Sequence, residues 1–247
     1  MSETKKPLID EQGIRTDGRK IDEMRPISMT LGYLKHADGS VLYQQGKCSI
    51  IAAVFGPSEV HPKHLELADR AILRVRYHMA PFSVDERKSP APSRREIELS
   101  MVIRNALEPV IMTELFPRTV IDIFVEVLQA DGGTRVAGIT AATLALADAG
   151  IPMRGLVAGC ATGKAGGKVV VDLNDIEDKE GEADVPVAYI PTLNKLSLLQ
   201  MDGIMTRDEF KQALSMGINA CMKIYQMQVS ALKSKYAQVE GQPKEDD

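Results

Sequence analysis

Ile121-Asp-Ile-Phe-Val-Glu-Val-Leu128, Gln129-Ala-Asp-Gly-Gly-Thr-Arg135 and Val136 to Ala149 form the continuous stretch that decides the architecture of this chain. The first part reads as a β-strand and the last as an α-helix, closed by the stop signals Gly150 and Pro152. A strand that passes into a helix through paired glycines is an anion receptor in kind. The first helical turn presents N–H groups that have no partner inside the helix, and glycine lets backbone come close to a phosphate. Thr134, read as an N-cap hydroxyl, and the planar fork of Arg135 would add converging donors. The competing reading is a turn that merely requires glycine, with Arg135 paired to a carboxylate.

Toward the N-terminus, Ile27 to Lys35 and Ser40 to Gln45 flank the hairpin signal Asp38-Gly39, and Ser49 to Phe55 extends the meander until Gly56-Pro57 ends it. Ala71 to Met79 alternates with period two, which places Leu73, Val75, Tyr77 and Met79 on one face and Arg74, Arg76 and His78 on the other. Ser93 with Glu96 three residues on is a capping box that opens a helix, which Pro109 bends or restarts.

Toward the C-terminus, Leu156 to Gly163 and Lys168 to Leu173 form a hairpin about Ala165-Gly166-Gly167. Val185 to Ile190 and Lys195 to Met201 form a second pair of strands, closed by Asp202-Gly203. A second capping box, Thr206 with Glu209, opens a long helix with the apolar stripe Phe210, Ala213, Leu214, Gly217, Ile218, Cys221 and Ile224. The order is that of an α/β (α+β) chain in two related-looking halves, residues 15–150 and 151–236, with loose polar tails at 1–14 and 237–247.

Between the hairpin and the next strand lies an acid cluster of Asp172, Asp175, Glu177, Asp178, Glu180, Glu182 and Asp184, in which only Lys179 is basic. Hard oxygen ligands at this density suit magnesium or manganese, and Asp172, Asp178 and Asp184 fall at strand ends, where a site would be built. A solvated loop is the competing reading. Arg94 and Arg95 stand at the start of the Ser93 helix, where the helix dipole disfavours positive charge. Either an external anion or simple exposure accounts for them.

Bulk properties narrow the classes. Apolar residues make up 44% of the 247 and charged ones 26%, as expected of a folded chain with a real core. No apolar run reaches the roughly 18 residues of a membrane span, and the polar start lacks the core of a secretory signal, so a cytosolic location is expected. Cys48, Cys160 and Cys221 are too scattered for a disulfide framework or a paired-cysteine zinc site. His61-Pro-Lys-His64 lacks a nearby third ligand. The net charge of −4 excludes an overall basic coat, yet Lys63 to Arg104 carries nine Lys/Arg against six Asp/Glu, a basic surface to set beside the acidic run. No Walker-type phosphate loop or Gly-x-Ser-x-Gly elbow occurs, and the absence of Trp argues against a base-stacking platform.

Six motifs, in order, resemble the ribonuclease PH family, in the branch of active-type subunits of archaeal exosome rings: Arg15-Thr-Asp-Gly-Arg19, Gly32-Tyr-Leu-Lys-His-Ala-Asp-Gly-Ser40, Ser93-Arg-Arg-Glu-Ile97, Leu128-Gln-Ala-Asp-Gly-Gly-Thr-Arg135, Ala145-Leu-Ala-Asp-Ala-Gly-Ile-Pro152, and Asp172-Leu-Asn-Asp-Ile-Glu-Asp178 with Glu182-Ala-Asp184. The resemblance implies β-α-β-α units like the second domain of ribosomal protein S5. It also implies phosphate-dependent 3′→5′ degradation of RNA to nucleoside 5′-diphosphates, with tailing as the reverse reaction.

By the same resemblance Gly133, Thr134 and Arg135 hold inorganic phosphate, and Arg94 and Arg95 bind the RNA 3′ end. Asp178 is then the essential acid, and with Asp184 it places a divalent cation, Mg2+ or Mn2+. Lys63 falls where the family sets a basic residue at the constriction of a central channel. Implied partners are a homologous inactive subunit, in a hexameric ring that is a trimer of heterodimers, and RNA-binding cap subunits. Two alternatives share the pattern: a non-catalytic ring subunit, and a homohexameric enzyme that trims transfer RNA ends. Two departures are visible: Lys63, where many relatives carry arginine, and Cys48, where threonine is commoner in the family.

Overall fold

The computed structural model describes residues 7–10 and 12–240, with side chains described through residue 237. A first sheet contains β1 (Ile27–Leu31), β2 (Gly39–Gln45), β3 (Cys48–Glu59), β4 (Ile72–Met79) and β5 (Thr119–Gln129), in the order β1-β2-β3-β5-β4. All pairs are antiparallel except β4 with β5. A parallel neighbour needs a crossover, and α1 (Arg94–Leu107) supplies it. After α2 (Thr134–Asp148) comes a second sheet of β6 (Ala158–Ala165), β7 (Lys168–Val171), β8 (Ala183–Ile190), β9 (Lys195–Leu199) and β10 (Asp202–Gly203). Its order is β10-β8-β6-β7, and β9 also pairs with β8. α3 (Asp175–Glu180) interrupts the path from β7 to β8, and α4 (Arg207–Glu240) covers β6, β7 and β8.

α2 explains how the halves become one body. It is apolar all round, as a helix buried on every side must be, and residues 136–146 are buried without exception. Alanine, glycine and threonine along it let β2 and β3 approach from one side and β6 from the other. Ile139, Leu144 and Leu146 are fully enclosed, and each such side chain stabilises the fold by roughly 1.5–3 kcal/mol. α4 lays its apolar stripe on the second sheet: Ala213, Gly217, Cys221 and Ile224 are buried, with Phe210 and Leu214 half-buried.

Four local expectations are corrected. β3 does not end at Gly56-Pro57 but continues to Glu59 through a register shift between Phe55 and Ser58, a bulge accommodated by Gly56 at φ 113°. The segment expected to be a loose tail at 1–14 folds back where it is described: Ile9 is buried with Ala165, Val170 and Leu173, and it bridges to Arg15. Residues 1–6 and 11 of that tail lie outside the described residues. At the other end α4 runs past residue 236 to Glu240, and the remainder of the expected tail, 241–247, lies outside the described residues. Finally, the acid cluster is not a bare loop but contains α3, capped by Asn174 and Glu177.

Candidate active site

Four chain segments meet at one end of β5. Gly132 and Gly133 adopt left-handed φ values of 70° and 64°, so the chain reverses from β5 into α2 in two residues. A Cβ on Gly132 would sit 2.6 Å from the carbonyl carbon of Asn174; only glycine lets this turn rest against the backbone that opens α3. Gly133, not Thr134, is the N-cap, and no side chain caps the helix. The free N–H groups of the first turn, at the positive end of the helix dipole, are therefore left for a ligand. Thr134 is the first helical residue, and its Oγ1 lies 2.9 Å from the Tyr77 hydroxyl. Arg135 donates from Nη1 to Gln200 Oε1 at 2.8 Å, while its buried Nε has no partner.

The cations at the opposite rim are placed by Glu96. Glu96 caps α1 by accepting from Ser93 N at 2.7 Å, and its other oxygen accepts from Met79 N at 3.0 Å, which fastens the start of α1 to the end of β4. Burial favours the neutral acid, but these N–H bonds outweigh it and hold the Glu96 carboxyl below its ordinary value. Arg94 and Arg95 follow Ser93 directly and stay exposed at the cleft mouth.

Two acids face this positive charge. Asp178 on α3 and Asp184 on β8 line the same cleft as Arg95 and Arg135, a cavity of about 610 Å3 on the side of the glycine turn. Burial raises the Asp178 carboxyl above its ordinary value, against the pull of Arg95. Burial likewise pushes Asp184 up to about 7, helped by the charges of Asp178 and Asp202 and opposed by Arg135 and Arg95. Asp202 stands directly opposite Asp184 in the β10–β8 register. Asp184 Oδ1 is buried without a partner. Like charges held together in a half-buried cleft call for an external cation or a proton.

By sequence every acid from Asp172 to Asp184 is a possible cation ligand. Two are removed from that set. Asp172 is buried in an ion pair with Arg25, Nη2 to Oδ1 at 2.6 Å and Nε to Oδ2 at 3.0 Å, with Arg19 at 3.3 Å. Burial opposes its charge, but Arg25 prevails and keeps the carboxyl below its usual range. Glu177 is enclosed with Arg15, whose guanidinium binds both its oxygens. Arg25 also reaches the carbonyl and carboxylate of Asp131, just before the glycine turn, and Asp131 Oδ1 accepts from Asp175 N at 3.3 Å. The turn and α3 are thus joined through one guanidinium. The signal for this role lay in Arg15-Thr-Asp-Gly-Arg19 and in Arg25, basic residues in an otherwise unremarkable start.

Lys63 is not brought to the cleft. It is exposed in a single 3-10 turn, Lys63–Leu65, after β3. Glu59 at the end of β3 pairs with Thr119, whereas the cleft lies beyond Gln129 at the other end of β5. Ten residues of strand put roughly 33 Å between the two ends. Among the described residues, no group of three or more His, Cys, Asp or Glu is placed to hold a metal ion, so a cation here would rest on Asp178 and Asp184 and on its substrate.

Fold and cleft together set arginines, a glycine turn and a pair of aspartates around one cavity at the seam between two sheets. The chain belongs to the 3′ exoribonuclease family: the model of domain 1 of that family matches residues 23–152 and that of domain 2 residues 155–220. It is 64% identical to the exosome complex component Rrp41 of Thermococcus onnurineus over 94% of this chain and 93% of that one. The protein of the same name from Pyrococcus abyssi is 63% identical over the same shares, and that from Methanopyrus kandleri 59% over 96% and 99%. Among solved structures, rice Rrp46 superposes with a TM-score of 0.80 at 24% identity, covering 89% of this chain and 100% of that one. A chain of the Archaeoglobus fulgidus exosome with RNA bound to the active site gives 0.77 at 21%, covering 87% and 93%. At such identities the likeness to these structures shows the fold, and the fold is the ribonuclease PH-like one that the six motifs implied.

Proposed function

We propose that this chain is the catalytic subunit of an archaeal-type exosome ring, a 3′→5′ exoribonuclease that uses inorganic phosphate to release nucleoside 5′-diphosphates from RNA. The observation that carries this reading is that the Gly133–Arg135 turn, Arg95, Asp178 and Asp184 line one cavity. Phosphorolysis brings two anions together, so a site must neutralise both the attacking phosphate and the phosphodiester. The free N–H groups of α2, with Thr134 and Arg135, suit the attacking phosphate. Arg94 and Arg95, at the mouth, suit the phosphates of the RNA end.

In the reaction an oxygen of orthophosphate forms a bond to the terminal phosphorus as the bond from that phosphorus to the 3′ oxygen breaks. The leaving oxygen takes a proton, and the shortened RNA ends in a 3′ hydroxyl. Asp178, which lines the cavity together with the glycine turn, is placed to act on that oxygen as it leaves. The unpartnered Asp184 Oδ1 and the repulsion between Asp178 and Asp184 fit a hard divalent ion, Mg2+ or Mn2+, of a kind that keeps several waters and needs only one or two protein carboxylates. Bound there, the ion would offset charge on the phosphoryl oxygens. Gln200 holds Arg135 from the side and keeps its fork directed.

The same reading supplies the partners. Ile97 and Met101 on the outer face of α1 are 64% and 51% exposed, and Met201 and Ile204 beside the cleft are 46% and 82% exposed. Apolar surface of this extent next to a site suits a neighbouring subunit, here a homologous inactive one in a hexameric ring topped by RNA-binding caps. Lys63, on the opposite end of the first sheet, would act on RNA before it reaches the cleft. Among the described residues no helix is long and apolar enough to cross a membrane, and we assign the complex to the cytoplasm. A purely RNA-binding subunit would have no need of an aspartate pair opposite a phosphate turn. The test is to incubate the assembled complex with a single-stranded RNA with and without phosphate: shortening only with phosphate supports the proposal, and equal shortening without it overturns it.

A further inference from the structure

Tyr77 belongs to the interior of the first sheet by every local measure, yet its hydroxyl ends beside the cleft. The residue is 2% exposed, and its ring packs near Gly138 of α2. Its backbone N–H donates to Ser100 Oγ at 2.9 Å, and the Ser100 hydroxyl donates to Glu96 O at 2.6 Å, so the strand is held to α1 at this residue. The phenol oxygen lies 2.9 Å from Thr134 Oγ1, which is itself 7% exposed. Among the described residues it has no other hydrogen-bond partner.

We propose that Tyr77 is a positioning residue for phosphate: its O–H donates to Thr134 Oγ1 and thereby turns the Thr134 proton outward, toward the anion at the glycine turn. Each hydroxyl carries one proton, and only one of the two can lie between the oxygens. If Thr134 donated to Tyr77, the phenol proton would be buried without an acceptor, at the full cost of an unsatisfied donor. Thr134 would then also meet the phosphate with lone pairs alone. With Tyr77 as donor both protons are used, one between the oxygens and one toward the ligand. Burial pushes the phenol up to about 12, so it remains protonated, and therefore a donor, across the pH range in which the protein works. A chain of two hydroxyls ending on an anion is also cooperative, since each donor is polarised by the next.

This inference rests on the proposed reading of the Gly133–Arg135 turn as the phosphate site, and the experiment separates the two. Phosphorolysis by the assembled complex is measured with Tyr77→Phe, Thr134→Val, Thr134→Ser and the double variant Tyr77→Phe/Thr134→Val, varying phosphate and RNA in turn. Tyr77→Phe keeps the ring that fills the core and is expected to raise KM for phosphate roughly five- to tenfold, the range of one hydrogen bond, with KM for RNA unchanged. Thr134→Val should do at least as much, the double variant no more than Thr134→Val, and Thr134→Ser should stay within about twofold of the parent. If Thr134→Val raises KM for phosphate while Tyr77→Phe does not, the positioning role is overturned and the phosphate site stands. A Tyr77→Phe loss that falls equally on phosphate and RNA, or that adds to Thr134→Val, reflects core support alone and also overturns it. If Thr134→Val leaves KM for phosphate unchanged, the reading of the turn itself fails.

Discussion

Arg25 and Asp172 meet in a buried two-point ion pair, with the guanidinium Nη2 2.6 Å from Oδ1 and Nε 3.0 Å from Oδ2. Because Arg25 also holds Asp131, this pair fixes the distance between the glycine turn and the helix that carries Asp178. Asp172 sits at a left-handed φ of 58°, a conformation that asparagine tolerates. Asp172→Asn therefore tests the charge with little change to the backbone. It removes the buried counter-ion that Arg25 and Arg19 share, leaving Arg25 only Asp131, and is expected to cost about 3–5 kcal/mol in denaturant unfolding. A cost under about 1 kcal/mol would show that the arginines are satisfied without it.

Asp178→Asn separates chemistry from binding. Removing a group that handles a proton or a cation only in the transition state should lower kcat by a factor of about 10²–10⁴ and leave the RNA Kd within about twofold. Single-turnover phosphorolysis with a binding titration on the same preparation checks both. Full activity in this variant would remove Asp178 from the catalytic role.

Asp184 provides a pH signature. Its carboxyl is raised from 3.8 to about 7, so between these values the folded protein retains a proton that the unfolded chain has lost. Stability attributable to this group must fall as pH rises through that window. In metal-free buffer Asp184→Asn should match the parent near pH 4 and become more stable than it by pH 7, by on the order of 2–4 kcal/mol. Thermal unfolding of both proteins across this range is the measurement, and a constant difference would contradict the assignment. Added Mg2+ should restore the parent selectively.

Gly132→Ala probes the contact between turn and α3. The new methyl would be forced to within 2.6 Å of the Asn174 carbonyl carbon at φ 70°, so the backbone must shift. Backbone strain alone is expected to cost about 1–2 kcal/mol, and catalysis should fall by more than stability suggests because the glycine turn and Asp178 move apart. Circular dichroism and phosphorolysis together distinguish the two losses.

What could be read from the sequence was whatever local chemistry determines. The alternation from Ile72 to Met79, the boxes Ser93–Glu96 and Thr206–Glu209 and the two-residue Gly166-Gly167 hairpin all form as their residues dictate. The glycine turn into α2 was legible for the same reason, although the cap fell on Gly133 and not on Thr134. The acid cluster was not separable by inspection. Asp172 and Glu177 are taken up by Arg15, Arg19 and Arg25, about 150 residues away along the chain, and nothing near either acid announces them. α3 was hidden similarly: six residues rich in acid look like solvated loop until Asn174 and Glu177 cap one another. Tyr77 falls on the apolar face of that alternation, but only its packing against α2 shows that its polar end reaches Thr134.

Free orthophosphate, not water, is the proposed nucleophile at the turn. The most direct measurement supplies 18O-labelled phosphate to the assembled complex with a single-stranded RNA and determines the products by mass spectrometry. The expected products are nucleoside 5′-diphosphates that carry the label in the β-phosphate, with the rate rising and saturating with phosphate. Unlabelled nucleoside 5′-monophosphates, formed equally well without phosphate, would contradict it.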